Sequence, residues 1–125
     1  MPRRRRSPAL TDAEARVMSV LWHQRTASVA DVVATLRKKR AVSYSTVQTI
    51  LRILEEKGYV SHEKVARAFI YRPRVNERQA RRRALRHLVL HLFNGSPSLL
   101  VLNVLEDDHI EAEELHRLKR LVGEA

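Results

Sequence analysis

Apolar side chains recur at helical spacing in three short stretches within the first 58 residues of the chain. Intervals of three and four residues place side chains on one face of an α-helix, so each stretch predicts a helix with one buried side. The three stripes are Val17, Met18, Leu21 and Trp22, then Val29, Val32, Val33 and Leu36, and finally Val47, Ile50, Leu51 and Leu54. Trp22 belongs to the first stripe and is therefore expected in the core.

Polar residues mark the ends of these helices. Thr11 and Glu14 have the spacing of a capping box, in which each side chain bonds the backbone amide of the other residue. Ser28 and Ser43 are suited to begin the second and third helices in the same way. Gly58 follows the third stripe and predicts a left-handed residue that ends the helix.

The pattern changes after Gly58. Residues Tyr59–Val65 and Ala68–Pro73 are rich in β-branched and aromatic side chains, which favours two strands. Ala66 and Arg67 lie between them and predict a tight hairpin turn. The order is three short helices followed by a β-hairpin.

The second half of the chain returns to helical patterns. Asn76 is expected to cap a fourth helix of about 18 residues, since helix caps favour such a side chain. Asn94–Pro97 interrupts the helical pattern, with Ser96 as the cap of a fifth helix and Pro97 at its first position. A last helix is expected to end at Gly123. The predicted fold class is therefore mainly α, with one small β element (α+β).

The fifth helix is apolar nearly all round, so it must be covered from several sides. Three short helices cannot bury such a run within one chain, and a second copy across a two-fold axis is the economical partner. An intramolecular three-helix bundle is the alternative. The residues expected at the dimer interface are Leu85, Leu88, Val89, Leu92, Phe93, Leu99, Leu100, Val101, Leu102, Leu105, Leu115 and Leu118.

The net charge of +10 indicates a polyanionic partner, with nucleic acid ahead of an anionic membrane surface. Residues 1–42 carry ten Lys and Arg against three Asp and Glu, whereas residues 76–125 carry eight of each. The polyanion surface is therefore expected in the first 75 residues. Residues 1–9, which include Arg3–Arg6, are expected to be a disordered basic tail; an arm that enters a minor groove is the alternative.

The third helix has the outward face that helix-turn-helix recognition requires. Its side chains there are short, polar or cationic, so the backbone can approach base edges in a major groove. Gln48 can pair with adenine, and Arg52 can reach guanine or phosphate. Lys64 and Arg67 on the hairpin can follow the flanking backbone or the minor groove. The alternative is an ordinary solvated face. The predicted DNA-binding residues are Ser43, Tyr44, Ser45, Thr46, Gln48, Thr49, Arg52, Lys64 and Arg67.

The sequence contains no strong signal for catalysis, metal binding or membrane insertion. The chain has no cysteine and no Ser/His/Asp arrangement, paired-carboxylate site or glycine-rich phosphate loop, so no enzyme, cofactor or metal is expected. His87 and His91 have a spacing that permits shared metal coordination, but surface or interface positions are expected for them. No apolar run approaches the roughly 18 residues of a membrane span, and a soluble cytoplasmic protein without membrane insertion is expected.

Two other functions compete with DNA binding. A basic module that binds RNA or the ribosome is compatible with the charge, but aromatics are 5% of the chain and exposed stacking platforms are not expected. A helical adaptor that binds no nucleic acid is compatible with the neutral second half. It leaves the positive charge of the first 75 residues without a role.

The chain resembles the BlaI/MecI-type penicillinase and methicillin-resistance repressors from Leu10 to Val122. The residues that carry the resemblance are Leu10–Glu14, Val17-Met18, Leu21-Trp22, Tyr44–Leu51, Lys57-Gly58, Arg67–Phe69, Tyr71, Pro73, Phe93–Ser96 and Leu100–Asn103. The resemblance implies a winged-helix DNA-binding domain over residues 10–75, a helical dimerisation domain over residues 76–125 and a palindromic operator. It also implies a role in antibiotic resistance and release from DNA by proteolysis, triggered by a membrane sensor with a zinc-protease domain.

The sequence departs from the family at three positions. The family is usually cut between Asn and Phe, whereas Val104 follows Asn103 here, so cleavage at Asn103–Val104 is a hypothesis. Family members often carry Arg or Lys where Ile53 stands, a role that Arg52 is expected to take. Ala66 replaces a glycine at the tip of the hairpin. The cysteine cluster of the copper-sensing relatives is absent, which excludes that activity.

Overall fold

A computed structural model describes residues 8–123 of the chain. The elements are α1 (Asp12–Gln24), β1 (Ala27–Ser28), α2 (Val29–Leu36), α3 (Tyr44–Glu56), β2 (Val60–Val65), β3 (Ala68–Pro73), α4 (Glu77–Leu92), α5 (Pro97–Leu105) and α6 (Ala112–Gly123). The mainly α, α+β fold class is confirmed. The expectation of a disordered basic tail falls on residues 1–9, of which residues 1–7 lie outside the described part.

Side-chain caps define the beginnings of the helices, as the sequence predicts. The Thr11 hydroxyl accepts from the Glu14 amide at 3.2 Å, and Glu14 accepts in return from the Thr11 amide at 3.0 Å. Ser28 and Asp31 form the same reciprocal pair at the start of α2. Each box satisfies two amides that a helix leaves without a partner, so α1 and α2 have fixed first turns.

Gly58 ends α3 in the left-handed conformation, with φ of 83°. The Gly58 amide donates to the Glu55 carbonyl at 3.0 Å, and the Tyr59 amide donates to the Leu54 carbonyl at 2.9 Å. These two bonds form a Schellman motif, which satisfies carbonyls that the helix end would otherwise leave free. The chain therefore turns directly from α3 into β2.

The sheet has three strands in the order β1-β3-β2, all antiparallel. The hairpin of β2 and β3 is confirmed, with Ala66 and Arg67 as its two-residue turn. The first strand was not predicted: Ala27 pairs with Tyr71 and Ser28 with Ile70. Two residues are too short to show an alternating pattern, and their partners are distant in sequence.

All buried hydrophobic side chains of the described residues lie between Val17 and Ala80. The largest of those with less than 2% exposure are Tyr59, Met18, Leu21, Leu51, Leu54, Val17, Val32 and Val47. Trp22 packs against this core, and its indole N–H donates to the Val75 carbonyl at 2.8 Å. The predicted helical stripes thus meet in one core, which fixes the orientation of α3.

The chain divides into two compact units between Ala84 and Leu85, inside α4. The boundary suggested by the sequence, between Val75 and Asn76, falls just before this helix begins. The first unit includes the first half of α4 because Ala80 is buried in the core, at 4% exposure.

The second unit leaves many of its apolar side chains exposed and the others only half-buried. Leu85 is 49% exposed, Leu92 73% and Leu102 50%, and no described residue after Ala80 is buried. A closed three-helix bundle within one chain would bury these stripes, whereas residues 85–123 leave much of them in solvent. Within residues 8–123, no single helix is long and apolar enough to span a membrane. Helices α4 and α5 have the required length and apolar character only when taken together, and the pair is bent by 95°.

Candidate nucleic-acid interface

Helix α3 has one buried face and one face in solvent. Val47, Leu51 and Leu54 have no exposed surface, since they pack into the core. Each of the predicted contact residues on α3 and at its cap is exposed: Ser43, Tyr44, Ser45, Thr46, Gln48, Thr49 and Arg52. Ile53 is only half-buried and lies at the edge of the packed side. The core therefore presents the predicted recognition face outward as one surface.

The N-terminus of α3 is ordered by hydroxyl groups. Ser43 accepts from the Thr46 amide at 3.2 Å, and its hydroxyl lies 2.8 Å from that of Thr46 and 3.3 Å from that of Ser45. The first turn contains no acidic residue, in contrast to those of α1, α2, α4 and α6. The partial positive charge of this helix end is therefore not offset by a local carboxylate, which suits a phosphate group.

The hairpin extends a second basic element from the core. Lys64 and Arg67 are both exposed, and Arg67 is the second residue of the turn. The first turn residue, Ala66, has φ of 56°, a conformation that favours glycine. The alanine at the tip of the hairpin therefore adopts a backbone conformation in which its Cβ atom is strained.

The base of the hairpin is attached to α3 by a cluster that sequence reasoning missed. His62 Nδ1 lies 2.5 Å from Glu55 Oε1, and the imidazole ring contacts Phe69 edge-on and Tyr71 at a tilt, with centroids 5.0 and 5.2 Å apart. Burial raises the pKa of the Tyr71 phenol, and the Glu55 carboxylate and Tyr44 add to the shift. These contacts join α3 and the hairpin into one surface.

The end of α3 is also attached to α1. Lys57 Nζ lies 2.7 Å from Glu14 Oε1, and both side chains are only 7% exposed. Lys57 donates a further bond to the Ala9 carbonyl at 3.0 Å, and the Tyr59 hydroxyl donates to the Pro8 carbonyl at 2.5 Å. Only the capping role of Glu14 was predicted; its pairing with Lys57 spans 43 residues and has no local sequence signal.

The histidines proposed as surface or interface residues lie side by side on α4. The ring centroids of His87 and His91 are 4.2 Å apart. In the part of the chain that the structure describes, no group of three or more His, Cys, Asp or Glu side chains is placed to hold a metal ion.

Three helices, with α3 exposed along its polar side, and a three-stranded sheet that ends in a basic hairpin define a winged helix-turn-helix DNA-binding domain. The comparisons agree with this class. The family model described as "Penicillinase repressor" matches residues 10–124, and the chain belongs to that family. Its members are DNA-binding regulators and not enzymes.

Known relatives match almost the whole chain. The penicillinase repressor of Bacillus licheniformis is 32% identical over 94% of this chain and 91% of its own. The methicillin resistance regulatory protein MecI of Mammaliicoccus sciuri is 24% identical over 91% of this chain and 93% of its own.

Solved structures of a BlaI repressor match more than half of the chain. The solution structure of the DNA-binding domain of the repressor BlaI is 35% identical, with a TM-score of 0.52 over 59% of this chain and 90% of that one. A second solution structure contains monomeric Bacillus licheniformis BlaI in complex with the blaP half-operator, with the same identity and coverage and a TM-score of 0.50.

Proposed function

We propose that the chain is a homodimeric, sequence-specific transcriptional repressor that binds a palindromic operator in the cytoplasm. The exposed polar face of α3 carries this proposal, because it stands opposite fully buried Val47, Leu51 and Leu54 and follows a helix start without acidic residues. The operator complex of the BlaI relative supports DNA as the partner.

In this arrangement α3 enters a major groove and the hairpin follows the backbone beside it. Gln48 and Arg52 are suited to base edges, since their amide and guanidinium groups can each make two hydrogen bonds. Ser43 and Thr46 at the helix start, together with Lys64 and Arg67, are suited to phosphates. Two such surfaces related by a two-fold axis match half-sites about one helical turn apart, or a multiple of that distance.

DNA binding is tested by titrating labelled DNA from the promoter upstream of the protein's own gene. We expect binding to this DNA to exceed that to a scrambled sequence of equal length by at least about 10³-fold. Equal affinity for both sequences would contradict a specific repressor. Competition by single-stranded RNA at the same concentration as the promoter DNA would favour an RNA-binding module instead.

The second unit supports the dimer in this proposal. Its helices expose apolar side chains, and Pro97, Val101, Leu102 and Leu105 line a shallow cleft of about 380 Å³ on α5. Monomeric proteins seldom expose a continuous apolar surface of this kind. Sedimentation equilibrium tests the dimer, with Leu102→Asp as the disrupting variant. His116→Asp, at an exposed position of α6 outside this cleft, is the control for an added carboxylate.

Release from DNA is proposed to follow cleavage of the Asn103–Val104 bond by a membrane zinc-metalloprotease sensor. The bond lies near the end of α5, and the Asn103 side chain donates to the Leu99 carbonyl at 2.8 Å. A protease needs extended backbone, so the last turn must open. Local opening is favoured because α5 has no buried residue. Mass spectrometry of the protein from induced cells tests this step: intact chain in cells with a freed operator would contradict it.

A further inference from the structure

The zero net charge of residues 76–125 conceals two opposite charges. Between residues 77 and 92, α4 carries five arginines and a single acid, Glu77. Residues 106–114, which lead from the end of α5 into α6, carry six acids and no Lys or Arg. We call Arg78, Arg82 and Arg86 the cationic stripe and residues 106–114 the acidic segment.

The cationic stripe lies in line with the apolar residues of the same helix. At about 100° per residue, Arg78, Arg82 and Arg86 fall within about a quarter of the helix circumference, and Leu85 and Val89 lie on that same side. The buried Ala80 lies opposite. All three arginines are exposed, and none of them forms an ion pair within residues 8–123. Among these residues, the ion pair of α4 is the one between Arg81 and Glu77.

The cationic stripe does not belong to the recognition surface of α3. The Arg83 guanidinium lies 5.1 Å from the centre of the Tyr59 ring, and Tyr59 directly follows the glycine that ends α3. The first half of α4 therefore lies beside the C-terminal end of α3. A helix of 13 residues is about 20 Å long, so Ser43 and the first turn of α3 lie at the far end.

The acidic segment also adjoins an apolar face. Glu111 precedes Leu115 by one helical turn, and the Leu115 amide donates to the Glu111 carbonyl at 2.9 Å. Among the described residues, the ion pairs of the segment are both local: Asp107 with His109 and Glu114 with Arg117. The exposed carboxylates that form no ion pair there belong to Glu106, Asp108, Glu111 and Glu113.

We propose that the cationic stripe of one protomer pairs with the acidic segment of a second copy across the dimer interface. Each patch extends the exposed apolar face of its own helix, so burial of these faces brings the patches to the interface. Two-fold symmetry then forms the pairing twice. Complementary charge at the border of an apolar interface favours the correct partner and register. This inference rests on the dimer of the proposed function.

Two charge-reversed variants test the pairing. The stripe variant carries Arg78→Glu, Arg82→Glu and Arg86→Glu, and the segment variant carries Glu106→Arg, Asp108→Arg and Glu111→Arg. Each homodimer would place like charges together, so we expect its dissociation constant to rise about tenfold or more. An equimolar mixture should form a heterodimer about as tight as the original homodimer, because both of its contacts again join opposite charges.

The control variant is Lys38→Glu, Lys39→Glu and Arg40→Glu, which changes the net charge as much as the stripe variant at exposed positions before α3. Its dimer dissociation constant, measured by sedimentation equilibrium, should be unchanged. Circular dichroism of all variants should show the helical content of the original protein, which separates a lost interface from lost folding.

Three outcomes would overturn the inference. Unchanged dimerisation of both variants would show that the patches do not meet. Weakened dimers that do not recover on mixing would indicate pairing within one chain. A stripe variant with normal dimerisation but weaker operator binding would place DNA on the stripe. If the original protein is monomeric at every concentration, the proposed dimer itself is wrong, and that result is distinct from the other three.

Discussion

Glu14 of α1 and Lys57 at the end of α3 form an ion pair of 2.7 Å that is almost completely removed from solvent. Glu14 also completes the capping box of α1, and Lys57 also holds the Ala9 carbonyl. One carboxylate therefore fixes the start of one helix and the end of another. The pair positions α3, whose opposite end begins the candidate DNA-binding surface.

Removal of one partner should be costly, since it leaves the other charge buried and alone. We expect Lys57→Met to lower the free energy of unfolding by about 3 kcal/mol, measured by urea denaturation. Arg72→Met is the matched control, because Arg72 pairs with Glu63 on the exposed hairpin; its effect should stay below about 1 kcal/mol. Equal effects of the two substitutions would show that burial of the Glu14 pair adds nothing.

Glycine at the hairpin tip should stabilise the protein. Ala66 has a positive φ, in which a Cβ atom is strained, so Ala66→Gly should raise the free energy of unfolding by about 1 kcal/mol. The same exchange at Ala34, an exposed position inside α2, should lower it by about 1 kcal/mol. If both variants lose stability, the strain at Ala66 is not relieved by glycine.

Stability should decline at high pH through Tyr71. Its pKa is raised above 10.0 in the folded protein because burial and the nearby Glu55 disfavour the phenolate. The stabilisation is complete below the pKa of the unfolded chain, about 10, and is lost as the pH rises through the folded value. The decline between pH 9 and 11 should be smaller in Tyr71→Phe, whereas Tyr44→Phe should keep most of it. Identical pH profiles for the original protein and Tyr71→Phe would contradict this assignment.

Two arginines should affect operator binding in different ways. Arg52→Ala should weaken binding to the operator by about 1–3 kcal/mol and reduce discrimination against altered bases, if it reads a base edge. Arg67→Ala should weaken binding to all sequences alike and lower the salt dependence by about one counterion. Fluorescence anisotropy over a range of salt concentrations measures both quantities. An Arg52→Ala protein with unchanged affinity and discrimination would remove this residue from the interface.

Local signals in the sequence predicted most of the architecture. The caps Thr11, Ser28 and Ser43 and the terminating Gly58 were predicted because each acts on backbone groups within three or four residues. The apolar stripe of α3 also predicted which side chains would be exposed, since the period of a helix fixes the face opposite a buried residue.

The parts that were missed depend on contacts between distant residues. The Glu14–Lys57 pair and the strand pairing of Ala27 with Tyr71 join residues 43 and 44 positions apart, and no periodic pattern records such partners. The cluster of Glu55, His62 and Tyr71 needs the turn at Gly58 to bring α3 against the hairpin. The opposite charges of α4 and the acidic segment were hidden in a net charge summed over residues 76–125.

The buried core of the described chain ends at Ala80. Cleavage or opening of α5 or α6 can therefore separate the two protomers of the proposed dimer while the DNA-binding unit of each protomer stays folded. In the proposed dimer, one half-site contact holds the second unit near its own half-site at a high effective concentration, and this advantage disappears when the link is lost. Each separated unit would still recognise its half-site, but at cellular concentrations it would dissociate too readily to keep the operator occupied.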